Sequence, residues 1–175
     1  GTNWYDEVLK KNAIRQEYSV SADGGSERVQ YYFNVNYTAD NGLLKSGDLY
    51  YNKWNFRSNV TAKLTDGLKA AVKVSGYIDE SESPTSNFFN IWRGTVNSLP
   101  YKPVYADPEE TMYNSVKDGQ SYNPVALSYS ENTGYNRTRH TSVNTTFNLE
   151  WNPTFCRDFT LSGTVAYDKR LTHGK

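Results

Sequence analysis

Few residues in this chain have a type and spacing suited to covalent chemistry. His140 and His173 are the only histidines, and neither stands at a ligand-like spacing from the single cysteine, Cys156. Both are read as solvated or hydrogen-bonded surface residues, with no metal and no cofactor expected. Cys156 falls in a turn with no evident base, which leaves its thiol inert. Asp107, Glu109 and Glu110 could be drawn as the paired carboxylates of a glycosidase. A helix start at Asp107-Pro108 is the simpler account, because a first helical turn favours acids and proline. Asp79, Glu80 and Glu82 could bind a cation, although a solvated strand end explains them better. No catalytic constellation emerges, so an enzyme is not expected.

Binding chemistry is better supplied. Trp92, Arg93, Tyr101, Tyr105, Tyr113 and Tyr122 fall in one long segment, followed there by Tyr129 and Tyr135. Aromatic faces stack on sugars and offer amphipathic contact area at protein interfaces. These residues are therefore candidates for contacting a sugar ligand or a protein partner.

The elements that must position these residues are long strands. From Asn52 to Leu64 one side carries Trp54, Phe56, Val60, Ala62 and Leu64, and the other Lys53, Asn55, Arg57, Asn59, Thr61 and Lys63. Side chains alternate across a strand, so one face is apolar and the other wet. Val29, Tyr31, Phe33, Val35 and Tyr37 repeat the pattern, as do Leu68, Ala70, Val72, Val74, Gly76 and Ile78. Val143, Phe147, Leu149 and Trp151 oppose Asn144, Thr146, Asn148 and Glu150, and Phe159, Leu161, Val165 and Tyr167 oppose Thr160, Ser162, Thr164 and Asp168. Strands are expected at about 16–23, 28–39, 50–64, 68–79, 140–152 and 159–170, longer than the usual five or six residues.

Gly24-Gly25-Ser26 and Thr65-Asp66-Gly67 mark tight turns, and Asn152-Pro153 through Asp158 a short one. Asp40-Asn41-Gly42 opens a longer loop, and residues 80–139 form a long insertion. Within it Phe88, Ile91, Trp92, Thr95, Val96 and Leu99 fall at helical spacing, predicting a helix over about 86–98, capped by Ser86 and ended by Pro100. A short helix is also expected over about 3–12, with Asn3 as its cap. Short and long connections alternate, as in outer-membrane barrels with short periplasmic turns and long extracellular loops.

Composition agrees with a barrel wall. Hydrophobic residues are only 37 %, yet aromatics reach 15 %, with 15 Tyr and 4 Trp. Few aliphatics with many Tyr and Trp suit strands that meet lipid on one face and carry aromatic girdles. The formal net charge is zero, which removes the electrostatic case for nucleic acid. A single cysteine excludes an intrachain disulfide framework. The expected fold is thus all-β, an antiparallel meander forming part of a transmembrane β-barrel. Its lumen-lining residues are Lys53, Asn55, Arg57, Asn59, Lys63, Lys73, Asn144, Asn148 and Glu150; its lipid-facing residues are Phe33, Tyr37, Trp54, Phe56, Phe147 and Trp151. In that frame Phe88 and Phe89 are expected to fasten the long loop to the barrel rim.

Several motifs carry a family resemblance. Gly1-Thr2-Asn3-Trp4-Tyr5-Asp6-Glu7-Val8 is similar to the GTDWYDEVF segment of SusC/RagA-type TonB-dependent outer-membrane transporters. Tyr18-Ser19-Val20-Ser21 before Gly24-Gly25-Ser26-Glu27 resembles their LSVSGGSE turn, with Ala22-Asp23 interposed. Tyr31–Tyr37 followed by Asp40-Asn41-Gly42, Tyr51–Val60 and Asn123-Pro124 also fit, in the family's order. The resemblance implies a plug, a barrel of about 22 strands, a SusD-like surface lipoprotein as lid, and coupling to TonB through an N-terminal region outside this sequence. It implies oligosaccharide or peptide cargo, and the outer membrane of a Gram-negative, Bacteroidota-like bacterium. Residues 1–15 would end one extracellular loop and 80–139 form another, with plug and remaining strands lying beyond a chain that reads as a fragment. The competing expectations are a soluble β-sandwich that binds glycans and a passive porin-like barrel.

Overall fold

The computed structural model describes residues 1–115, 123–156 and 158–175. Strands β1 (Arg15–Gly25), β2 (Val29–Asp40), β3 (Tyr50–Thr65), β4 (Leu68–Pro84), β5 (Tyr135–Trp151) and β6 (Leu161–Gly174) form one antiparallel sheet in chain order. A sandwich would divide its strands between two facing sheets; this meander does not. The register keeps apolar residues beside apolar residues. Tyr18, Tyr37, Trp54, Ile78, Thr141 and Leu171 stand in one row, and Gly24, Tyr31, Val60, Val72, Phe147 and Val165 in another. A slip of one residue would turn every apolar side chain to the other face, so the pattern itself fixes the pairing.

The boundaries of β4, β5 and β6 depart from the expected ones, β6 running to Gly174 rather than 170, and two of these departures have a physical reason. β4 continues past Asp79 to Pro84 and β5 begins at Tyr135 rather than 140, which shortens the long connection to residues 85–134. There the strands are polar on both faces, so the hydrophobic alternation fades while the ladder persists from Glu80 opposite Arg139 to Pro84 opposite Tyr135. The second concerns the connection from β5 to β6. It covers residues 152–160 and is as long as the 41–49 loop, so the alternation of turn lengths holds for the first four connections and fails at the fifth. Pro153 has no N–H for a ladder. The chain folds into a turn instead, with Cys156 N–H donating to Pro153 O at 3.1 Å and Phe159 N–H to Cys156 O at 3.2 Å.

The compact core lies outside the sheet. Helices α1 (Trp4–Val8), α2 (Phe88–Asn97), α3 (Pro124–Ser128) and α4 (Ser130–Thr133) gather at the long-loop end. Trp4, Val8, Leu44, Ile91 and Val125 are buried together there. The Trp4 indole N–H donates to Leu99 O at 3.0 Å, and Thr2 N–H to Pro100 O at 2.6 Å, tying the N-terminal segment to the end of α2. Ser46 Oγ donates to Ser128 O at 2.7 Å, and Ser130 N–H to Asp48 Oδ2 at 2.8 Å, tying the 41–49 loop to α3 and α4.

Three local expectations are corrected. α2 is capped by Asn87, whose side chain accepts from Asn90 N–H at 2.9 Å, and not by Ser86. Asn3 precedes α1, but its side chain makes no capping bond and donates instead to Asp6 Oδ2 at 2.7 Å. Asp107 starts a turn rather than a helix: its carboxylate accepts from Met112 N–H at 2.8 Å and Thr111 N–H at 3.1 Å. An aspartate side chain that takes these amides offers the backbone an alternative to helix.

Candidate functional site

The sheet presents two unlike faces, and among the described residues no other element of the chain is layered over either. On the apolar face the hydrophobic band runs from Trp54 to Leu64 on β3, from Leu68 to Ile78 on β4 and from Thr141 to Trp151 on β5. At about 3.3 Å per residue this is roughly 33 Å of strand, or about 25 Å of height if the strands tilt by about 40°. At the long-loop edge the rings of Tyr18, Tyr37 and Trp54 stand in line, with centroids 6.5 Å and 4.5 Å apart. At the opposite edge Trp151 meets Phe155, centroids 6.4 Å apart. Exposure within the band is high: Val20 73 %, Trp54 51 % and Val165 68 %. Phe33 and Phe147 are exposed on this face too, and Phe56 and Tyr37 half-buried.

Beyond the Trp54 row the same face turns polar. Tyr37 Oη donates to Asn52 Oδ1 at 3.2 Å, Tyr50 Oη to Glu80 at 3.2 Å and Glu82 at 3.3 Å, and Arg137 Nε to Glu82 Oε2 at 2.6 Å. Glu80 and Glu82 are thus engaged rather than freely solvated, which corrects the expectation for this strand end.

The polar face gathers the residues expected to line a lumen. Lys53 Nζ lies 4.6 Å from the centre of the Tyr77 ring. Asn55 donates to Asn36 Oδ1 at 3.4 Å, Asn144 to Asp168 Oδ1 at 2.8 Å and Asn148 to Thr164 Oγ1 at 2.8 Å. Arg57, Lys63 and Lys73 are exposed, and Asn59 and Glu150 half-buried. Asp79 here pairs with His140 Nδ1 at 2.8 Å and accepts from Tyr51 Oη at 3.4 Å. Sequence reasoning missed this cluster, because Asp79 and His140 are joined only by register across the long connection; extending the apolar pairing of Ile78 by one residue would have found it.

The loop candidates separate into two groups. Trp92 joins Tyr5, centroids 5.7 Å apart and edge-on, and Phe88, 6.4 Å apart and stacked. Phe89 is 68 % exposed and Val96 is exposed beside them, so Phe88 and Phe89 do not fasten the loop to the sheet as expected. The apolar arc of α2 is wider than its partners cover: Ile91, Gly94 and Thr95 are buried, while Phe88, Trp92 and Val96 remain outside. Arg93 is exposed on this helix. Tyr105 and Tyr113 stack at 5.1 Å within the loop, and desolvation, then the Tyr113 neighbour, raise the Tyr105 phenol above its ordinary pKa. Tyr101 is exposed and touches no other ring among the described residues, and Tyr122 lies outside the described residues.

Among the described residues no three His, Cys, Asp or Glu side chains converge as a metal site. No described helix is long and apolar enough to cross a membrane, a fact that does not bear on crossing by strands. A single antiparallel sheet with one uncovered apolar face, aromatic at both edges and capped by loops at one end, is consistent with part of a barrel wall. The comparison with known proteins points the same way. The chain is 30 % identical over 126 residues to TonB-dependent receptor P26 of Formosa agariphila. The match covers 71 % of this chain but only 12 % of that receptor. No protein-family model matches the chain.

Proposed function

We propose that this chain is a stretch of barrel wall from a TonB-dependent importer in the outer membrane of a Gram-negative bacterium. The observation that carries the reading is the apolar band that runs from Trp54 to Leu64 and from Leu68 to Ile78, bounded by aromatic rings at both edges; at the strand tilt usual for such barrels it has the height of their lipid-facing belt. The polar face then lines the lumen, with Lys53, Arg57, Lys63 and Lys73 presenting cations to plug or solvent. The long-loop end faces outside the cell. The chain contributes no catalysis and needs no cofactor; TonB is engaged by an N-terminal region beyond it.

The finer reading is a SusC/RagA-type importer of a Bacteroidota-like bacterium. A SusD-like lipoprotein closes over it, and oligosaccharide or peptide is captured between the two. The exposed Tyr5, Phe88 and Trp92 cluster is the contact surface, since rings left outside a core cost hydration until something covers them. An epitope tag inserted after Asn132 of the whole receptor is expected to be accessible on intact cells, and one at Gly25 to be inaccessible until the membrane is opened. Reversed accessibility would sink the strand directions. A receptor that purifies as a soluble monomer without detergent would sink the barrel.

A further inference from the structure

We propose that the polar face of β3, β4 and β5 carries a transit site for an anionic oligosaccharide, in a crevice over Ala71. The proposal rests on the barrel-wall reading above, in which this face borders the lumen, and it names the class of cargo. Its starting point is an imbalance of charge. The whole chain is neutral, with 19 Lys and Arg against 19 Asp and Glu. On β3 and β4 the polar face nevertheless carries five cations, Lys53, Arg57, Lys63, Lys69 and Lys73, against one carboxylate, Asp79. His140 already occupies that carboxylate. Arg57, Lys63, Lys69 and Lys73 are exposed and form no ion pair among the described residues. Lys63 stands directly opposite Lys69. Like charges so placed destabilise a strand pair, and an anion beside them reverses the sign of that contribution.

The crevice gives this charge a shape. It holds about 330 Å³ and lies where Ala71, the smallest side chain of its row, stands between Thr61 on β3 and Asn148 on β5. Lys69 and Lys73 line it from either side of Ala71, four residues apart on β4 and so separated by about 13 Å. At that spacing each lysine meets its own anionic group. Between them the lining is neutral and hydrogen-bonding. The Thr61 and Thr146 hydroxyls form no side-chain hydrogen bond among the described residues, and Asn148 donates to Thr164 Oγ1, which leaves its carbonyl oxygen to accept. Glu150, half-buried opposite Lys69, adds an acceptor for a hydroxyl.

Cations set apart along a lining of hydroxyl, amide and carboxylate groups suit a ligand that is hydroxylated throughout and acidic at intervals. That is an oligosaccharide bearing carboxylate or sulfate groups, each held by a charge-assisted hydrogen bond. Arg57 and Lys53 continue the line of cations toward the long-loop end. A cleft lined by one sign of charge concentrates ligands of the other, so the same stripe draws the anionic chain inward.

The test is calorimetric titration of the whole receptor in detergent. The probes are a tetragalacturonate, a sulfated galactan tetrasaccharide, a neutral galactan tetrasaccharide and tetraglutamate. At least one of the two anionic sugars is expected to bind, more weakly as salt rises. The neutral sugar and the peptide are expected to bind at least tenfold more weakly. Each exposed lysine contributes about a threefold factor in affinity, so K69Q/K73Q is expected to lose about tenfold. A71L keeps every charge but fills the crevice, and is expected to lose as much. K169Q, which removes a cation from the other face, is expected to bind as wild type. Failure of both anionic sugars to bind, equal binding of the neutral sugar or of tetraglutamate, or wild-type affinity in K69Q/K73Q or A71L would each overturn the proposal; the last is what a plug seated over this crevice would give. Heat-dependent gel migration of every variant separates this failure from that of the barrel: a receptor that folds into membranes but ignores the anionic sugars refutes only the transit site.

Discussion

Val72→Arg separates a lipid-facing wall from a solvated sheet, because the two give opposite expectations for one side chain. Val72 lies on β4 between Val60 and Phe147 and is 39 % exposed. If water meets this face, an arginine at a partly exposed position is a surface substitution, within about 0.5 kcal/mol of neutral. If lipid meets it, depth decides. The band on β4 extends from Leu68 to Ile78, so Val72 sits roughly 13 Å along the strand from one edge and 20 Å from the other. With strands tilted by about 40° the nearer edge is about 10 Å away, close to the midplane, where arginine costs about 2–4 kcal/mol. Ile78→Arg, at the edge, is expected to cost about 0–1 kcal/mol. Ser75→Arg, on the polar face at a similar height, is expected to cost no more than about 1 kcal/mol, the like-charge penalty of standing directly opposite Arg57 on a wet face. The assay is reversible urea unfolding of the whole receptor in phosphatidylcholine vesicles, followed by tryptophan fluorescence. A cost for Val72→Arg no greater than that of Ser75→Arg, or equal costs at 72 and 78, would refute the reasoning.

Three further outcomes follow from local geometry. Gly76→Val is expected to destabilise by about 1–3 kcal/mol, the usual penalty for overpacking. A Cβ there would collide with the Ser142 carbonyl and lie 2.7 Å from the Phe56 ring, and paired Phe56→Ala, Gly76→Val is expected to recover part of the loss in the same unfolding assay. Trp4→Ala removes a residue 3 % exposed together with its bond to Leu99 O, and about 3–5 kcal/mol of local stability with it; hydrogen exchange is expected to rise at Leu44 and Ile91 while the β3–β4 ladder keeps its protection. The Asp107 carboxyl is held below its ordinary pKa by the Thr111 hydroxyl and then by the Met112 amide. A depressed folded pKa means that the turn's stabilisation is complete above the unfolded value of about 3.9 and is lost as pH falls through the folded one. Met112 amide exchange, corrected for intrinsic rate, is expected to stay constant from about pH 7 to pH 5 and rise only below the usual aspartate range; a rise near neutrality would refute this assignment.

The sheet was legible because its period is two and its faces differ in chemistry. Trp54, Phe56 and Val60 against Lys53, Arg57 and Asn59 determine the side each residue faces and exclude a slip of one residue, which would set charge beside indole; the tight turn at Thr65-Asp66-Gly67 sets the rest of the register. The signal ended where that contrast ended. Glu80 through Pro84 and Tyr135 through Arg139 are polar on both faces, so nothing in their alternation distinguishes strand from loop, although the ladder continues there with Arg137 paired to Glu82. The Asp79–His140 pair was hidden for the same reason: strands joined through residues 85–134 have no tight turn to set their register, and only the apolar rows below do so.

The loops were legible in composition but not in arrangement. Helical spacing marked Phe88, Ile91, Trp92, Thr95 and Val96 as one apolar set, yet the fold divides them, burying Ile91 and Thr95 and leaving Phe88, Trp92 and Val96 outside. The division follows from what each side can meet. Ile91 faces Trp4, Val8, Leu44 and Val125, contributed by three separate segments, and no single-helix pattern encodes that meeting. The outer rings have no such partner among the described residues. Apolar surface is therefore left unburied twice, once on the sheet and once on α2, and the two require different covers. The sheet's band runs from Trp54 to Leu64, from Leu68 to Ile78 and from Thr141 to Trp151 on three neighbouring strands, an extent that suits a lipid interface. The α2 stripe is small and aromatic, stands at the loop end beyond the charged row of Glu80 and Arg139, and so lies outside the bilayer that would cover the sheet. On the importer reading proposed above, that second cover is a cargo or a closing protein.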